Sequence, residues 1–237
     1  MAHKIIIILK DIFGTALYDH FKGTKAAKLF IYNKYGPKEE MPLEVYFRTE
    51  LEMPELELMA LGRCHGRVLD IGAGAGSHAL CLQNLGTDVT ALDISGRAVD
   101  IMRERGLKQA IEQDIYTYKG EKYDTLLLLM NGIGLAGNTE RLRVFLRHSK
   151  TLLNLGGQLL FDSSDIAYLY QGNLPAGRYY GELWYQYGYK GQKTDWFQWL
   201  YIDQDMLIDI ASEEGWAVEI LHEDNMDQYL ARLMVAD

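Results

Sequence analysis

The stretch Val68-Leu69-Asp70-Ile71-Gly72-Ala73-Gly74-Ala75-Gly76 decides the fold of this chain. A short apolar run that ends in three alternating glycines is typical of a buried parallel strand that turns tightly into a helix. Glycine is required there because the turn needs backbone angles that side chains disfavour, and because a ligand must approach the backbone closely. The helix that follows presents free N–H groups at its N-terminus. The stretch therefore predicts a nucleotide-cofactor site in a doubly wound α/β sheet.

Strand and helix patterns alternate along the chain from this stretch onward. Such alternation indicates a parallel sheet with helices on both faces. The almost continuous apolar run at 123–130 is typical of a central strand that is covered on both sides. We therefore predict a mostly parallel, seven-stranded sheet. Its strands are expected at 67–71, 88–92, 109–112, 123–130, 158–162, 217–221 and 229–235.

The first 54 residues precede this alternation and are predicted to form a helical and irregular segment. Within it, the apolar spacing at 11–22 predicts a helix that Asp11 caps and that stops at Gly23. The segment 1–54 is a candidate lid for the domain formed by 55–237.

Ten aromatic residues crowd a predicted antiparallel hairpin that is inserted at about 178–202. Strand alternation places Tyr185, Tyr187 and Tyr189 on one face and Trp184 on the other. Two interpretations stay open. The rings enclose a flat or cationic ligand, or they only pair with one another across the strands, as aromatic residues do in many hairpins.

Charge, hydropathy and cysteine usage limit the partners of the chain. The net charge is −9, and residues 203–237 hold ten acidic residues and one basic residue. Because nucleic-acid binding favours a basic patch, no nucleic-acid partner is expected. The apolar runs at 5–9 and 126–130 are far shorter than the roughly 20 residues of a membrane helix, so no membrane partner is expected either. Cys64 and Cys81 alone indicate no disulfide framework, which predicts a cytoplasmic location.

Acidic residues follow three of the predicted strands: Asp70, Asp93 and Asp114. The carboxyl ends of parallel strands meet at one edge of a sheet, so these side chains are expected beside the glycine-rich turn. Asp93 can accept both ribose hydroxyl groups of a nucleotide, as an acid about 20 residues further on does in dinucleotide folds. However, the glycine spacing departs from the G-x-G-x-x-G dinucleotide fingerprint, and Ser77 stands after the third glycine.

The stretch Asp70-Ile71-Gly72-Ala73-Gly74-Ala75-Gly76 resembles motif I of the class I S-adenosylmethionine-dependent methyltransferases. The resemblance implies their seven-stranded Rossmann-like fold, in which the last strand runs antiparallel. It also implies S-adenosyl-L-methionine as cofactor and no metal. It assigns cofactor contacts to Asp70, Gly72, Ala73, Gly74 and Gly76 at the methionine portion, Asp93 and Ile94 at ribose, Asp114 and Ile115 at adenine, and Asn131 and Gly132 beside the sulfonium.

We interpret the sequence as that of a methyltransferase whose acceptor is a small molecule of unknown chemistry. Methyl transfer depends chiefly on alignment of the reacting atoms. No catalytic residue is assigned, and the candidates for a base are Asn131, Asp162, Asp165 and His78. In a further hypothesis, Arg48 reaches the carboxylate of the cofactor or the acceptor. A non-catalytic S-adenosylmethionine-binding protein and an NAD-dependent oxidoreductase stay open as alternatives, and no oligomeric state is predicted.

Overall fold

The computed structural model describes residues 11–24 and 27–236. The helices in these ranges are α1 (Ile12–Phe21), α2 (Glu55–Arg63), α3 (Ser77–Asn84), α4 (Gly96–Glu104), α5 (Thr139–Leu152) and α6 (Gln204–Glu213). The strands are β1 (Leu29–Asn33), β2 (Glu39–Met41), β3 (Val68–Ile71), β4 (Val89–Asp93), β5 (Ala110–Glu112), β6 (Tyr123–Leu128), β7 (Leu153–Ser164), β8 (Glu182–Tyr189), β9 (Gln192–Lys193), β10 (Phe197–Leu200), β11 (Trp216–Glu223) and β12 (Gln228–Val235). No helix in these ranges is long and apolar enough to cross a membrane. The apolar run at 5–9 lies outside the described residues.

Seven strands form the large sheet, in the order β11, β12, β7, β6, β3, β4 and β5. The five strands from β7 to β5 are parallel, whereas β12 runs antiparallel to both of its neighbours. This arrangement confirms the predicted mostly parallel, seven-stranded sheet. The strand order reverses between β3 and β6, and ligands bind in open α/β sheets at the carboxyl ends of the strands beside such a reversal.

Strand β6 shows why the central run of the sequence is apolar at nearly every position. Leu126 and Leu128 pack into the hydrophobic cluster on one face of the sheet, and Leu127 packs into the cluster on the other face. All three leucines are completely buried. Because successive side chains of a strand point to opposite faces, a strand that is covered on both faces has no position at which a polar side chain reaches water.

A second, small sheet joins strands from the N-terminal segment to strands of the hairpin at 182–200. Its strands lie in the order β10, β8, β1 and β2, with β9 beside β8, and all of its pairs are antiparallel. Strands β8 and β10 form the predicted aromatic hairpin. The N-terminal segment, expected to be helical and irregular, contains α1 and in addition contributes β1 and β2. A strand as short as β1, whose partner β8 lies far along the chain, leaves little local signal. The division of the chain at residue 54 stays a prediction.

Helix α1 fastens the small sheet to the large one. Its first turn is capped by Asp11, as predicted, through a 2.8 Å hydrogen bond from the backbone N–H of Gly14. Leu17 of α1 packs with Leu29 of β1 and Ile101 of α4 in one buried cluster. α4 connects β4 to β5 of the large sheet. The cluster therefore holds the small sheet beside the carboxyl ends of β3 and β4.

Gly181, just before β8, tests whether the small sheet closes as the structure has it. A Cβ at this position would overlap the backbone carbonyl of Tyr201, and backbone cannot move aside as a flexible side chain can. Gly181→Ala should lower the free energy of unfolding by about 1–3 kcal/mol, measured by denaturant titration. In the control Gly62→Ala, on α2, the added Cβ meets nothing within 4 Å and should raise that free energy by about 0.5–1 kcal/mol. Wild-type stability in Gly181→Ala would contradict the packing.

Candidate functional site

A cavity of about 760 Å³ lies between the large sheet and the small sheet. Its floor consists of the turns that follow β3, β4, β5 and β6. Its roof consists of the small sheet and the segment before α2. Of the predicted cofactor residues, those that line the cavity are Asp70, Gly72, Ala73, Gly74, Asp93, Ile94, Asp114, Ile115, Asn131 and Gly132.

The glycine-rich turn after β3 has the left-handed backbone that its sequence indicates. The φ angle is 72° at Gly72, 56° at Gly74 and 81° at Gly76. A Cβ on Gly72 would meet nothing within 4 Å, so the backbone there is accessible to a ligand. Gly76 is not among the lining residues. It precedes α3, and a Cβ there would press against Met102 of α4, so helix packing accounts for this glycine.

Asp70 is buried at the end of β3, and its Oδ2 atom has no hydrogen-bond partner among the described residues. Burial raises the pKa of this carboxyl to about 6, although the charge of His78 and the backbone N–H of Ala79 act in the opposite direction. A buried polar atom without a partner costs free energy. Asp70 therefore offers an unused acceptor to an ammonium or hydroxyl group in the cavity.

Arg48, Glu57 and His78 form a hydrogen-bonded network that lines the same end of the cavity. Arg48 donates to Glu57 at 2.6 Å, and Nε2 of His78 lies 2.8 Å from the other carboxylate oxygen. Burial lowers the pKa of His78, but the hydrogen bond to Glu57 and the charge of Asp70 outweigh burial and raise it. The raised pKa favours the imidazolium, which donates to Glu57 and is a poor general base. Sequence reasoning missed Glu57.

Asp93 lies at the end of β4, as predicted, and already holds two backbone groups. One carboxylate oxygen accepts from the N–H of Gly74 and the other from the N–H of Ser95, both at 2.8 Å. Burial raises the pKa of Asp93 to about 6, against the effect of these two hydrogen bonds. The hydroxyl of Ser95 donates in turn to Asp11 at 2.6 Å, which brings the cap of α1 to the cavity wall.

Asp114 and Ile115 close the cavity beyond β5. Oδ1 of Asp114 accepts from the backbone N–H of Tyr116 at 2.9 Å and so caps a short 3₁₀ turn, while Ile115 is buried. Ile94 stands out on the wall because 67% of its surface is exposed. Apolar surface of this kind faces water until a ligand covers it.

The turn after β6 has a strained backbone. Met130 and Asn131 both have left-handed φ angles, 62° and 55°, a conformation that costs about 1–3 kcal/mol per residue when glycine is absent. The strain is offset by Asp162, because the N–H of Asn131 lies 2.9 Å from each of its carboxylate oxygens. Burial raises the pKa of Asp162 to about 6.

Two of the four base candidates lie outside the cavity wall. Asp162 is completely buried beneath Asn131 and also accepts from Gln228. Asp165 accepts from the hydroxyl of Tyr180 and from the backbone N–H of Ala167. Only Asn131 and His78 among the four line the cavity, and an amide is not a base. The structure brings no carboxylate candidate for a base to the wall.

The roof presents aromatic side chains to the cavity. Tyr185 and Tyr187, predicted to share one face of the strand, both line it, whereas the hydroxyl of Tyr189, predicted on the same face, bonds to Asp19 of α1. The ring of Phe197 lies 5.0 Å from that of Tyr187 and 6.5 Å from that of Trp199. Trp196 and Tyr201 also line the cavity, and so does Trp184, although strand alternation predicts it on the face opposite to Tyr185.

Comparisons with known proteins agree with this geometry. A family model described as a methyltransferase domain matches residues 68–157. The chain is 39% identical in sequence to an S-adenosylmethionine-dependent methyltransferase from Bacteroides fragilis, whose crystal structure contains S-adenosyl-L-homocysteine. The structural match covers 96% of each chain, with a TM-score of 0.89.

Two further matches are more limited. Release factor glutamine methyltransferase of Streptococcus pneumoniae (strain ATCC BAA-255 / R6) is 39% identical over 83 residues, which are 32% of this chain and 30% of that protein. The match therefore spans less than a third of that relative. The glycopeptide N-methyltransferase MtfA, solved with S-adenosyl-L-homocysteine, is 18% identical over 75% of this chain and 86% of that chain. Its TM-score of 0.56 shows a shared fold.

The buried carboxyl of Asp70 should make stability depend on pH. Its pKa of about 6 exceeds the ordinary 3.8, so the folded protein keeps the proton to a higher pH than the unfolded chain does. This contribution to stability is present below about pH 4 and is lost as the pH rises towards 6. Asp70→Asn should therefore raise the free energy of unfolding at pH 7 by up to about 3 kcal/mol, and by much less at pH 4.

Denaturant titrations of wild type and Asp70→Asn at the two pH values measure this difference. The exposed Asp209 of α6 provides the matched control, because Asp209→Asn should change stability little at either pH. An equal gain for Asp70→Asn at pH 4 and pH 7 would show that the carboxyl is not destabilised by its burial.

Proposed function

Because the chain belongs to the class I S-adenosylmethionine-dependent methyltransferases, we propose that it methylates a small molecule bound beneath the aromatic roof. S-adenosyl-L-methionine is the cofactor, and the protein is an enzyme. The two alternatives that the sequence left open, an NAD-dependent oxidoreductase and a non-catalytic binding protein, are thereby set aside.

The residues around the glycine-rich turn fit the methionine portion of the cofactor, which carries an ammonium group and a carboxylate. The unpartnered Oδ2 of Asp70 would accept from the ammonium group. The guanidinium of Arg48 donates to Glu57, and its five N–H groups leave donors for the carboxylate. The open space above Gly72 gives the cofactor access to the backbone.

The residues at the ends of β4 and β5 fit the nucleoside portion of the cofactor, which consists of ribose and adenine. Each oxygen of Asp93 accepts one backbone N–H, and each keeps a lone pair for a ribose hydroxyl group. Ile94 would lie against the ribose beside Asp93. Ile115 would lie against the adenine ring, whose amino group would donate a hydrogen bond to the carboxylate of Asp114. Asn131 and Gly132 lie on the wall beyond β6, where the sulfonium is expected.

The roof is the observation that carries the small-molecule proposal. Strands of the small sheet cover the cavity, and aromatic side chains of β8 and β10 form much of its wall. Enclosed, mostly apolar pockets are typical of sites for small ligands, whereas a nucleic acid favours an open, basic surface that a net charge of −9 does not suggest. The free thiols of Cys64 and Cys81 support a further proposal, a reducing cytoplasmic location.

When bound, the cofactor supplies a methyl group that is attached to a positively charged sulfur, and the sulfur leaves as a neutral thioether. The residues of the protein contribute by positioning the cofactor and the acceptor. The floor holds the turns rigidly through Asp93 and Asp162, and the roof confines the acceptor and excludes water. Alignment of this kind contributes up to roughly 7–11 kcal/mol in well-oriented systems.

Methyl transfer to a small molecule can be tested with S-adenosyl-L-methionine that carries a tritiated methyl group. The protein is incubated with an extract of its source cells, and the products are separated by ultrafiltration. Label should collect in the small-molecule fraction, and Asp93→Ala should give only background. Label that collects in protein or nucleic acid would contradict the proposal.

Calorimetric titration can separate the two ends of the cofactor site. Arg48→Gln should weaken binding of S-adenosyl-L-homocysteine by about 10- to 100-fold, because a hydrogen bond to a charged group is worth about 1.5–3 kcal/mol. Binding of 5′-methylthioadenosine, which lacks the amino-acid group, should not change. Asp93→Ala should weaken binding of both ligands.

The control is Arg63→Gln, the same substitution at an exposed position at the end of α2, which should affect neither ligand. Equal losses for the two ligands in Arg48→Gln would remove Arg48 from the carboxylate contact. A melting curve for each variant separates loss of contact from loss of fold.

A further inference from the structure

Charged side chains are divided unequally between the two halves of the cavity. Five acidic side chains, two arginines and His78 line it, and all of them belong to the helices α2, α3 and α5, to the segments before α1 and α2, or to the strand ends of the large sheet. Among the described residues, the small sheet contributes no acid, histidine, lysine or arginine to the lining. If the proposed function holds, the acceptor therefore lies against a wall that carries no formal charge.

The polar atoms on this wall are poor proton acceptors. They are phenol hydroxyls and the amide of Gln198, whose oxygen accepts from Asn138. Burial raises the pKa of Tyr46, on the neighbouring segment, to about 12. It raises the pKa values of Tyr185 and Tyr187 well above the ordinary value. Neutral phenols at physiological pH cannot take a proton from an acceptor.

The rings themselves form a continuous inner surface. Phe13 of α1 lies 5.1 Å from Tyr46 and 5.2 Å from Tyr187, whose ring is 5.0 Å from Phe197. Trp199 extends this surface across Gly134, where a side chain would overlap the indole. The faces of aromatic rings are electronegative, so they attract cations and repel anions.

Two tryptophans of the same wall already hold a cation. Nζ of Lys34 lies 4.2 Å from the ring centre of Trp184 and 5.3 Å from that of Trp196. Both rings also line the cavity. The small sheet therefore binds an ammonium group through aromatic faces in the protein itself.

From this wall we infer that the acceptor is an amine, which reacts as the neutral base and leaves as a substituted ammonium ion. The nitrogen lone pair forms the new N–C bond, and the electrons of the broken C–S bond stay on sulfur. Nitrogen then carries the positive charge, and a primary or secondary amine afterwards releases a proton to water. The amine reacts after its ammonium form has released a proton to water, so the transfer itself requires no protein base.

Other acceptor classes fit the wall less well. A carboxylate or thiolate would lose its hydration without gaining a cationic partner. An alcohol needs a base to remove its proton. An amine gains positive charge in the transition state, which is when the rings stabilise it most.

The inference rests on the proposed function and can be tested by binding. The protein is saturated with S-adenosyl-L-homocysteine and titrated with three probes of similar shape: (3-hydroxyphenyl)trimethylammonium, its neutral isostere 3-tert-butylphenol, and 3-hydroxybenzoate. The cation should bind about tenfold or more tightly than the neutral isostere, and the anion more weakly than both. Phe197→Leu should reduce this preference severalfold and leave binding of S-adenosyl-L-homocysteine unchanged.

Tyr168→Leu, at a 62% exposed tyrosine that does not line the cavity, is the matched control and should change nothing. Equal binding of cation and isostere, a preference for the anion, or no binding of the cation overturns the inference. If S-adenosyl-L-homocysteine binds normally in those cases, only the acceptor class is wrong. Label transfer to macromolecules would instead overturn the proposed function.

Discussion

The neighbouring strand holds the glycine-rich turn in place. Gly72 and Ala73 donate their N–H groups to the carbonyl of Leu92 at 2.8 and 3.2 Å, and Gly74 donates to the carboxylate of Asp93. The turn is thus anchored to β4 at three successive residues. β3 and β4 are paired in parallel, with Asp70 opposite Ala91. The register of this pair therefore sets the distance between the carboxylates of Asp70 and Asp93. The spacing of the two ends of the cofactor site depends on that register.

The lining of the cavity offers two kinds of contact to a ligand. The floor uses charges and directed hydrogen bonds, which select a ligand by the position of each polar atom. The roof uses ring faces, which tolerate variation in shape and respond to charge sign. The strained turn at Met130 and Asn131 lies where the two halves meet.

Local patterns were sufficient for the large sheet and the strand-end acids. The apolar run of β6, the glycines after β3 and the position of Asp93 after β4 each carry their meaning within a few residues. The strands β1 and β2 were not predicted, because β1 pairs with β8 from far along the chain and β2 pairs with β1 in turn. The network around Glu57 was also missed because it depends on contacts between distant parts of the sequence. Arg48, Glu57 and His78 come together when α2 packs beside α3. Gly76 was predicted to contact the cofactor because it belongs to the glycine-rich turn. In the structure, a Cβ at this position would instead press against Met102.

The strands of the roof are far apart in the sequence, and this separation affects how the chain folds during its synthesis. Phe30 of β1 pairs with Gly188 of β8, so β1 leaves the ribosome long before its partner exists. At about 5–20 residues per second, the delay is roughly 8 to 30 seconds. β1 can pair with β2 early, but its edge that faces β8 stays unpaired while the large sheet begins to form. The nascent chain therefore passes through a stage in which its cofactor floor is being built under an exposed strand edge, and this stage is the one that molecular chaperones would meet.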